Sequence, residues 1–229
     1  MINGKDLLTK SVYISLIIQV ITGIVTFKGM FMNVSKKDKV LIDIITLENV
    51  VQVIEAIFYF YIALALSDID LNLVTPRRYF DWYITTPAML ISTILYMEYQ
   101  NRKERNEKQI RILEFLKENK TNVMKIVFYN FMMLTFGYLG ETNYINKPIS
   151  IFIGFIFFGL SFENIYTNFV GNNSSNKKLY MFLISIWSLY GVAAVLPTIP
   201  KNLSYNVLDI ISKNFYGLFI YYKILEAVN

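Results

Sequence analysis

The chain has 229 residues, 55% of them hydrophobic and 16% aromatic, with a mean hydropathy of +0.41; an ordinary soluble domain is about 45–50% apolar, so much of this chain is made for lipid. It has no Cys and no His, which excludes disulfides, thiolate or histidine metal sites and Ser-His or Cys-His hydrolases, and the chain does not read as an enzyme. The formal net charge of +5 would suit nucleic acid, but the Lys and Arg gather between apolar segments. Membrane topology accounts for them, and no nucleic-acid partner is expected.

In chain order, Met1–Lys10 is polar with a few apolar residues and is followed by no small-residue cleavage site, so no cleaved signal peptide is expected. It reads as a short interfacial segment or as a solvated end. Apolar runs then recur at Ser11–Phe31, Val40–Leu66, Arg78–Met97, Val123–Leu139, Ile149–Val170, Leu179–Pro197 and Val207–Ala227. Each is near the ~20 residues that cross a bilayer. The separators are Ser35–Lys39, Asp68–Asp70, Gly140–Glu141, Gly171–Lys178 and Pro197–Pro200. The charged connection Asn101–Lys120 is the one long loop, in which Gln109–Leu116 could form a surface helical turn or remain a solvated extension. These spacings predict an all-α membrane protein, a single seven-transmembrane helix bundle over residues 1–229.

Orientation follows from the positive charges. Lys36, Lys37 and Lys39, the Lys and Arg of Asn101–Lys120, and Lys177 and Lys178 lie on one side, against Arg77, Lys147 and Lys201 on the other. Positive-inside therefore puts the amino terminus outside and the carboxyl terminus in the cytoplasm, as a multi-pass protein of the plasma or host cell membrane. The Asn-x-Ser matches at Asn172 and Asn173 then fall on the cytoplasmic side as chance matches.

Ionisable groups inside spans are costly and usually functional. The seventh span holds Asp209 and Lys213 at i and i+4, one turn apart on one face. Such a lysine is either an ion-pair partner or an amine that condenses with an aldehyde. The third span reads Arg78-Tyr-Phe-Asp81-Trp82-Tyr-Ile-Thr85-Thr86-Pro87, with a cation, a carboxylate, a Trp and two hydroxyls close together.

Arg-Tyr-x-Asp-Trp-x-x-Thr-Thr-Pro on the third helix with Asp-x-x-x-Lys on the seventh resembles the microbial rhodopsin pattern. The resemblance implies all-trans retinal held by Lys213 as a protonated Schiff base, with Asp81 and Asp209 as counterions and Arg78 beneath them. It implies a retinal pocket walled by Trp82, Thr86, Trp187 and Tyr190. The sixth span departs from the family in having Gly191 where a proline is common and Ala194 where a second Trp is common. In that family a carboxylate commonly stands at the internal donor position, which here is Ser92. Arg78, Asp81, Thr85 and Ser92 are thus the proton-transfer and gating positions, and an efficient proton pump is not expected.

The second span carries Glu48, Gln52, Glu55 and Tyr59 at spacings of four, three and four, on one helical face, with Asp43 nearer its charged end. A carboxylate stripe is too costly for lipid, so this face must line protein or water. With Ser11, Ser15 and Gln19 on the first span, Asn202 and Asn206 before the seventh, and Ser212 and Asn214 within it, the stripe could form a hydrated seam for cations, or protonated carboxyls bonded inside the bundle. The set Ser11, Gln19, Glu48, Glu55, Asn202, Asn206, Asp209, Ser212, Lys213 and Asn214 resembles the first group of giant-virus rhodopsins, the viral channelrhodopsins. The resemblance implies a light-gated channel for monovalent cations. The alternatives are a light-driven outward proton pump and a sensory photoreceptor. The implied partners are the lipid bilayer, retinal and inorganic cations, with a homo-oligomer left open.

Overall fold

In a bilayer a backbone must satisfy its own polar groups, and a helix does so within one segment. The structure, a computed structural model that describes residues 4–66 and 70–228, accordingly contains only helical elements and loops among the described residues. The order is α1 (Gly4–Phe27), α2 (Val40–Ala65), α3 (Val74–Glu104), the short α4 (Ile112–Glu118), α5 (Lys120–Glu141), α6 (Lys147–Ile165), α7 (Ser174–Ala194), α8 (Thr198–Asp209) and α9 (Phe215–Val228). A π turn, Tyr166–Val170, extends α6, and a second, Ile210–Asn214, joins α8 to α9 as one continuous span. The result is a seven-transmembrane bundle. Helix α1 packs on α2, α2 on α3, α3 on α5, α5 on α6, and α7 on α8, and α8 and α9 close the ring against α1 and α2.

Several boundaries differ from the sequence expectation. Met1–Asn3, Ser67, Asp68 and Ile69 lie outside the described residues, so part of the expected Asp68–Asp70 turn does too. Residues 4–10 are no separate segment but the first turns of α1, because Leu8 is fully buried in the bundle. Helix α3 runs on to Glu104 and the last span begins at Thr198, so Asn202 and Asn206 lie inside that span rather than before it. The long charged loop shrinks: α4 is docked by Phe115, buried 5.8 Å from the Phe169 ring, and by Arg111 and the Ile112 amide on the Asp43 carboxylate. Helices extend past the hydrocarbon wherever polar side chains find partners, which apolar run lengths do not register.

The first two helices are inside out relative to a soluble protein. On α1 the buried residues include Ser15, Gln19, Thr22 and Thr26, while Ile17, Ile21 and Ile24 are exposed, Ile24 by 62%. On α2, Glu48, Gln52, Glu55 and Tyr59 are buried and Val53, Ile57 and Leu64 face outward. Among the described residues three helical stretches, Gly4–Phe31, Lys120–Glu141 and Lys147–Val170, are long and apolar enough to cross a membrane by length and composition.

The lysine-rich end of the bundle is stapled by amides. Asn176 Nδ2 donates to Met97 O (3.0 Å), Asn101 Oδ1 (2.9 Å) and Val170 O (3.3 Å), and Asn101 Nδ2 donates to Phe169 O (2.7 Å). Gly171 makes this approach possible, since its φ of 62° with ψ of −152° is open only to glycine. Each lost bond that leaves a buried carbonyl unmatched costs about 1–3 kcal/mol. Asn176→Ala should therefore lower the thermal denaturation midpoint of the solubilised protein clearly, and Asn168→Ala, which loses only exposed bonds to Asn164 and Asn122, should lower it much less. Equal midpoints would show that the staple adds no stability.

Candidate functional site

Lys213 sits in the π turn Ile210–Asn214 and is 2% exposed. A π turn carries an extra residue per turn and recurs at functional sites. Its Nζ donates to Asp81 Oδ2 at 2.8 Å and lies 3.2 Å from Glu55 Oε1 and 3.7 Å from Asp209 Oδ1. Asp81 comes from α3, Glu55 from α2 and Asp209 from the end of α8, so three helices converge on one ammonium. Glu55, expected along the ion path, thus stands in the same charge cluster as the two aspartates.

Arg78 is fully buried on the side of this cluster away from the lysine-rich loops. Its guanidinium donates to Asp209 Oδ2 (3.1 Å), Asn202 Oδ1 (3.1 Å), Tyr59 OH (3.3 Å) and Asn206 Oδ1. Of the two aspartates, it bonds directly to Asp209. Tyr59 OH donates to Asp209 Oδ2 at 2.7 Å and Tyr190 OH donates to Asp209 Oδ1 at 2.9 Å, so Asp209 is held by an arginine and two phenols. Tyr190 OH also meets Ser212 Oγ at 2.8 Å.

A chain of amides and hydroxyls continues on both sides. Asn206 Nδ2 donates to Ser11 Oγ (2.7 Å), and Asn202 Nδ2 donates to Thr75 Oγ1 (3.0 Å). Toward the lysine-rich end, Asn214 Nδ2 donates to Gln19 Oε1 (2.8 Å) and Gln52 Oε1 (3.1 Å), tying α1, α2 and the last span together. Beyond them Ser92 Oγ donates to Glu48 Oε1 and to Met89 O. Ser15 Oγ, Gln19 Nε2, Gln52 Nε2, Asn214 Oδ1 and Glu48 Oε2 are buried with no protein partner. Buried polar atoms of this kind are suited to water or to an ion. Thr85 and Thr86 spend their hydroxyls on the carbonyls of Asp81 and Trp82 in their own helix, at 3.0 and 2.7 Å, rather than on a carboxylate.

Beside Lys213 is a cavity of about 420 Å³ lined by Trp82, Thr86, Met89, Trp187, Tyr190 and Ser212. Trp82, Met133, Leu134, Trp187 and Tyr190 also line a second cavity of about 540 Å³ that reaches Gly154, Phe158 and Ala194. The two form an elongated apolar slot with an amine at one end. Gly191 has a steric role here, since a Cβ on it would collide with the Phe155 ring.

The bacteriorhodopsin-like protein family matches residues 8–227 of the chain. The chain belongs to this family. The crystal structure of the viral rhodopsin OLPVRII is 31% identical, with a TM-score of 0.85 over 96% of this chain and 99% of that one. The protein is thus a microbial rhodopsin of the viral group. The rhodopsin of Exiguobacterium sibiricum (16% identity, TM-score 0.77, covering 99% of this chain and 98% of that one) and xanthorhodopsin, described as a light-driven ion pump with dual chromophore (17%, TM-score 0.75, covering 99% and 96%), share the fold. No curated protein sequence matches the chain.

The family normally binds retinal, and the slot suits it: a long flat apolar group needs aromatic walls, and an aldehyde needs a buried amine at the end. Trp82, Trp187 and Tyr190 would supply the walls of this rhodopsin and Lys213 the amine. Sequence reasoning missed Tyr205, which meets Trp82 edge-on at 5.1 Å and stacks on Tyr190 at 5.7 Å. It also missed Asn130 of α5, buried and donating to Thr86 Oγ1 at 2.8 Å. A lone Asn in the apolar run Val123–Leu139 was the available signal for the latter; nothing marks Tyr205 among so many tyrosines.

Breaking a buried ion pair by removing one partner costs about 3–5 kcal/mol. Arg78→Gln should therefore lower the melting midpoint of the rhodopsin markedly and Arg78→Lys less, as both are followed by thermal unfolding. An unchanged midpoint in Arg78→Gln would mean that Tyr59 and Tyr190 alone hold Asp209 in place.

Proposed function

We propose that this rhodopsin is a light-gated channel for monovalent cations, with all-trans retinal joined to Lys213 as a protonated Schiff base, the amino terminus outside and the carboxyl terminus cytoplasmic. The observation that carries the reading is the run of buried polar side chains along α1, α2 and the last span, from Asn202 and Ser11 to Glu48, with unmatched amide, hydroxyl and carboxyl atoms along it. Acceptor oxygens and carboxylates in such a seam replace a cation's hydration shell. When bound, retinal supplies light absorption and an isomerisation that displaces positive charge at the Lys213 nitrogen. Asp81, Asp209 and Glu55 hold that charge in the dark.

The chain's own residues then divide into two closures. On one side Arg78, Tyr59, Asn202 and Asn206 form a closed knot around Asp209, which must loosen for an ion to pass. On the other, Glu48 is tied to Ser92 below a plug of buried Leu41, Ile44, Ile45 and Ile94. In this reading Asp81, the nearest acceptor to Lys213, takes up the proton that leaves the Lys213 nitrogen, and the change of charge at both groups weakens both closures.

The outward proton pump is favoured by one specific observation. Ser92 is not acidic, but Glu48 brings a carboxyl to it from α2, so an internal proton donor is available from a neighbouring helix.

Two measurements test these statements. Lys213→Ala should give colourless protein when made with all-trans retinal, and Asp81→Asn should shift the absorption to the red, because the counterion stabilises the ground-state cation more than the excited state. A coloured Lys213→Ala variant would sink the attachment site. For transport, whole-cell photocurrents with symmetric monovalent cations should reverse near zero voltage and shift when external sodium is replaced by a large organic cation. Glu48→Gln or Glu55→Gln should alter conductance or selectivity in a pigment that keeps its colour. A current outward at every voltage that depends only on protons, and that slows in Glu48→Gln, would establish the pump instead.

A further inference from the structure

Helix α7 packs on α8 and the second π turn but only sparsely on α9, so the two helices part toward the lysine-rich end. Between them and α3 lies a cavity of about 1030 Å³, more than twice the one of about 420 Å³ beside Lys213. Its floor is apolar, made by Leu179, Phe182, Phe215 and Phe219, and its inner end is Tyr216. Phe182 and Phe215 are also exposed on the outer face of the bundle, so the cavity opens sideways to lipid.

The polar part of the lining is one-sided. Lys178, Lys223, Ser175 and Gln100 all carry donors, and no carboxylate lines the cavity. Lys178 is exposed and has no partner among the described residues, while the partly exposed Lys223 pairs with Glu226 at 2.7 Å and lies over the Phe219 and Tyr222 rings; an ion pair this open to solvent is worth little. Two ammonium groups above an aromatic floor repel a hydrated cation and match an amphiphile with an anionic head. At a membrane surface, basic side chains between helix ends attract anionic lipid headgroups.

We propose that this wedge is a binding site for one anionic phospholipid, with an acyl chain on Phe182, Phe215 and Phe219 and the phosphate held by Lys178, Lys223 and Ser175. The chain end would meet Tyr216, which is fully buried and whose hydroxyl faces Thr93 and Ser92 without forming a well-made hydrogen bond. Ser92 is the partner of Glu48, so a seated lipid fixes the packing on the α7–α9 side of that carboxyl. The site is independent of whether the protein conducts or pumps.

The test is made in the dark on the whole protein, in nanodiscs of phosphatidylcholine with and without phosphatidylglycerol, followed by mild delipidation and native mass spectrometry. One phosphatidylglycerol should be retained, several-fold in preference to phosphatidylcholine. Lys178→Ala with Lys223→Ala should abolish the preference, and Lys178→Arg with Lys223→Arg should keep it. Equal retention of the two lipids, or a preference untouched by the double alanine variant, would overturn the proposal. So would retention of added oleate in place of phosphatidylglycerol, which would make the occupant a single-chain acid.

Discussion

A lysine ammonium buried in a low-dielectric bundle is the constraint around which the rest of this protein is arranged. An uncompensated charge there is expensive enough to unfold the site, so the chain must bring carboxyl groups to it from several directions. It does so from α2, α3 and α8, and then has to balance what it has brought: Lys213 and Arg78 face Asp81, Asp209 and Glu55, so an electrically neutral cluster holds one proton among the three carboxyls. A proton so shared would have several neighbouring carboxyl oxygens to occupy, and their titrations would be coupled. The π turn belongs to the same solution, because it adjoins Asp209 and carries both Lys213 and Asn214, presenting an ion pair and an amide cross-link within one turn.

The second constraint is the reversal of inside and outside that lipid imposes. Helices α1 and α2 turn their hydroxyl, amide and carboxyl residues inward, and these meet similar groups on the last span. In a soluble protein such a core would compete with water, whereas in hydrocarbon the alternative to an internal partner is none at all. The interior is therefore a polar thread with an apolar sleeve. The thread has a tight knot at Arg78 and unmatched atoms around Gln19, Gln52 and Asn214. It ends at Glu48 and Ser92, which are joined across α2 and α3.

Much of this was legible from residue types because each polar group inside a span is a costly exception. The third-helix sequence Arg78 to Pro87, the pair Asp209 and Lys213, and the stripe from Glu48 to Tyr59 all stood out by chemistry and spacing, and Arg78, Asp81, Trp82, Thr85, Thr86, Asp209, Lys213, Glu48, Gln52, Glu55 and Tyr59 lie buried on the bundle interior. What could not be read was which exceptions meet. Glu55 touches Lys213 because of the relative depth and rotation of α2 and the last span, and neither quantity is written in one helix alone. The same holds for Ser92 with Glu48, Asn130 with Thr86, and Asn101 with Asn176. Helix ends were also illegible, since α3 continues through charged residues to Glu104 and the last span starts amid Thr198 and Pro200. Gly191 looked like a departure from a family habit and turned out to face the Phe155 ring, which would have to turn aside for any side chain there.

The inverted character of α2 bears on how the chain enters a membrane during synthesis. Carboxylates near the middle of an isolated helix oppose its partition into lipid, each aspartate or basic residue at the centre costing about 2.5–3.5 kcal/mol on insertion scales. Glu48 finds a partner only when Ser92 of α3 is present, and Glu55 and Asp81 find their counter-charge only with Lys213 of the last span. The stretches that qualify for crossing by composition are the first helix and the adjoining pair α5 and α6. Insertion thus depends on assembly: α1 qualifies to cross by its own composition, while the carboxylates of α2 and α3 are matched only once the span that carries Lys213 joins them.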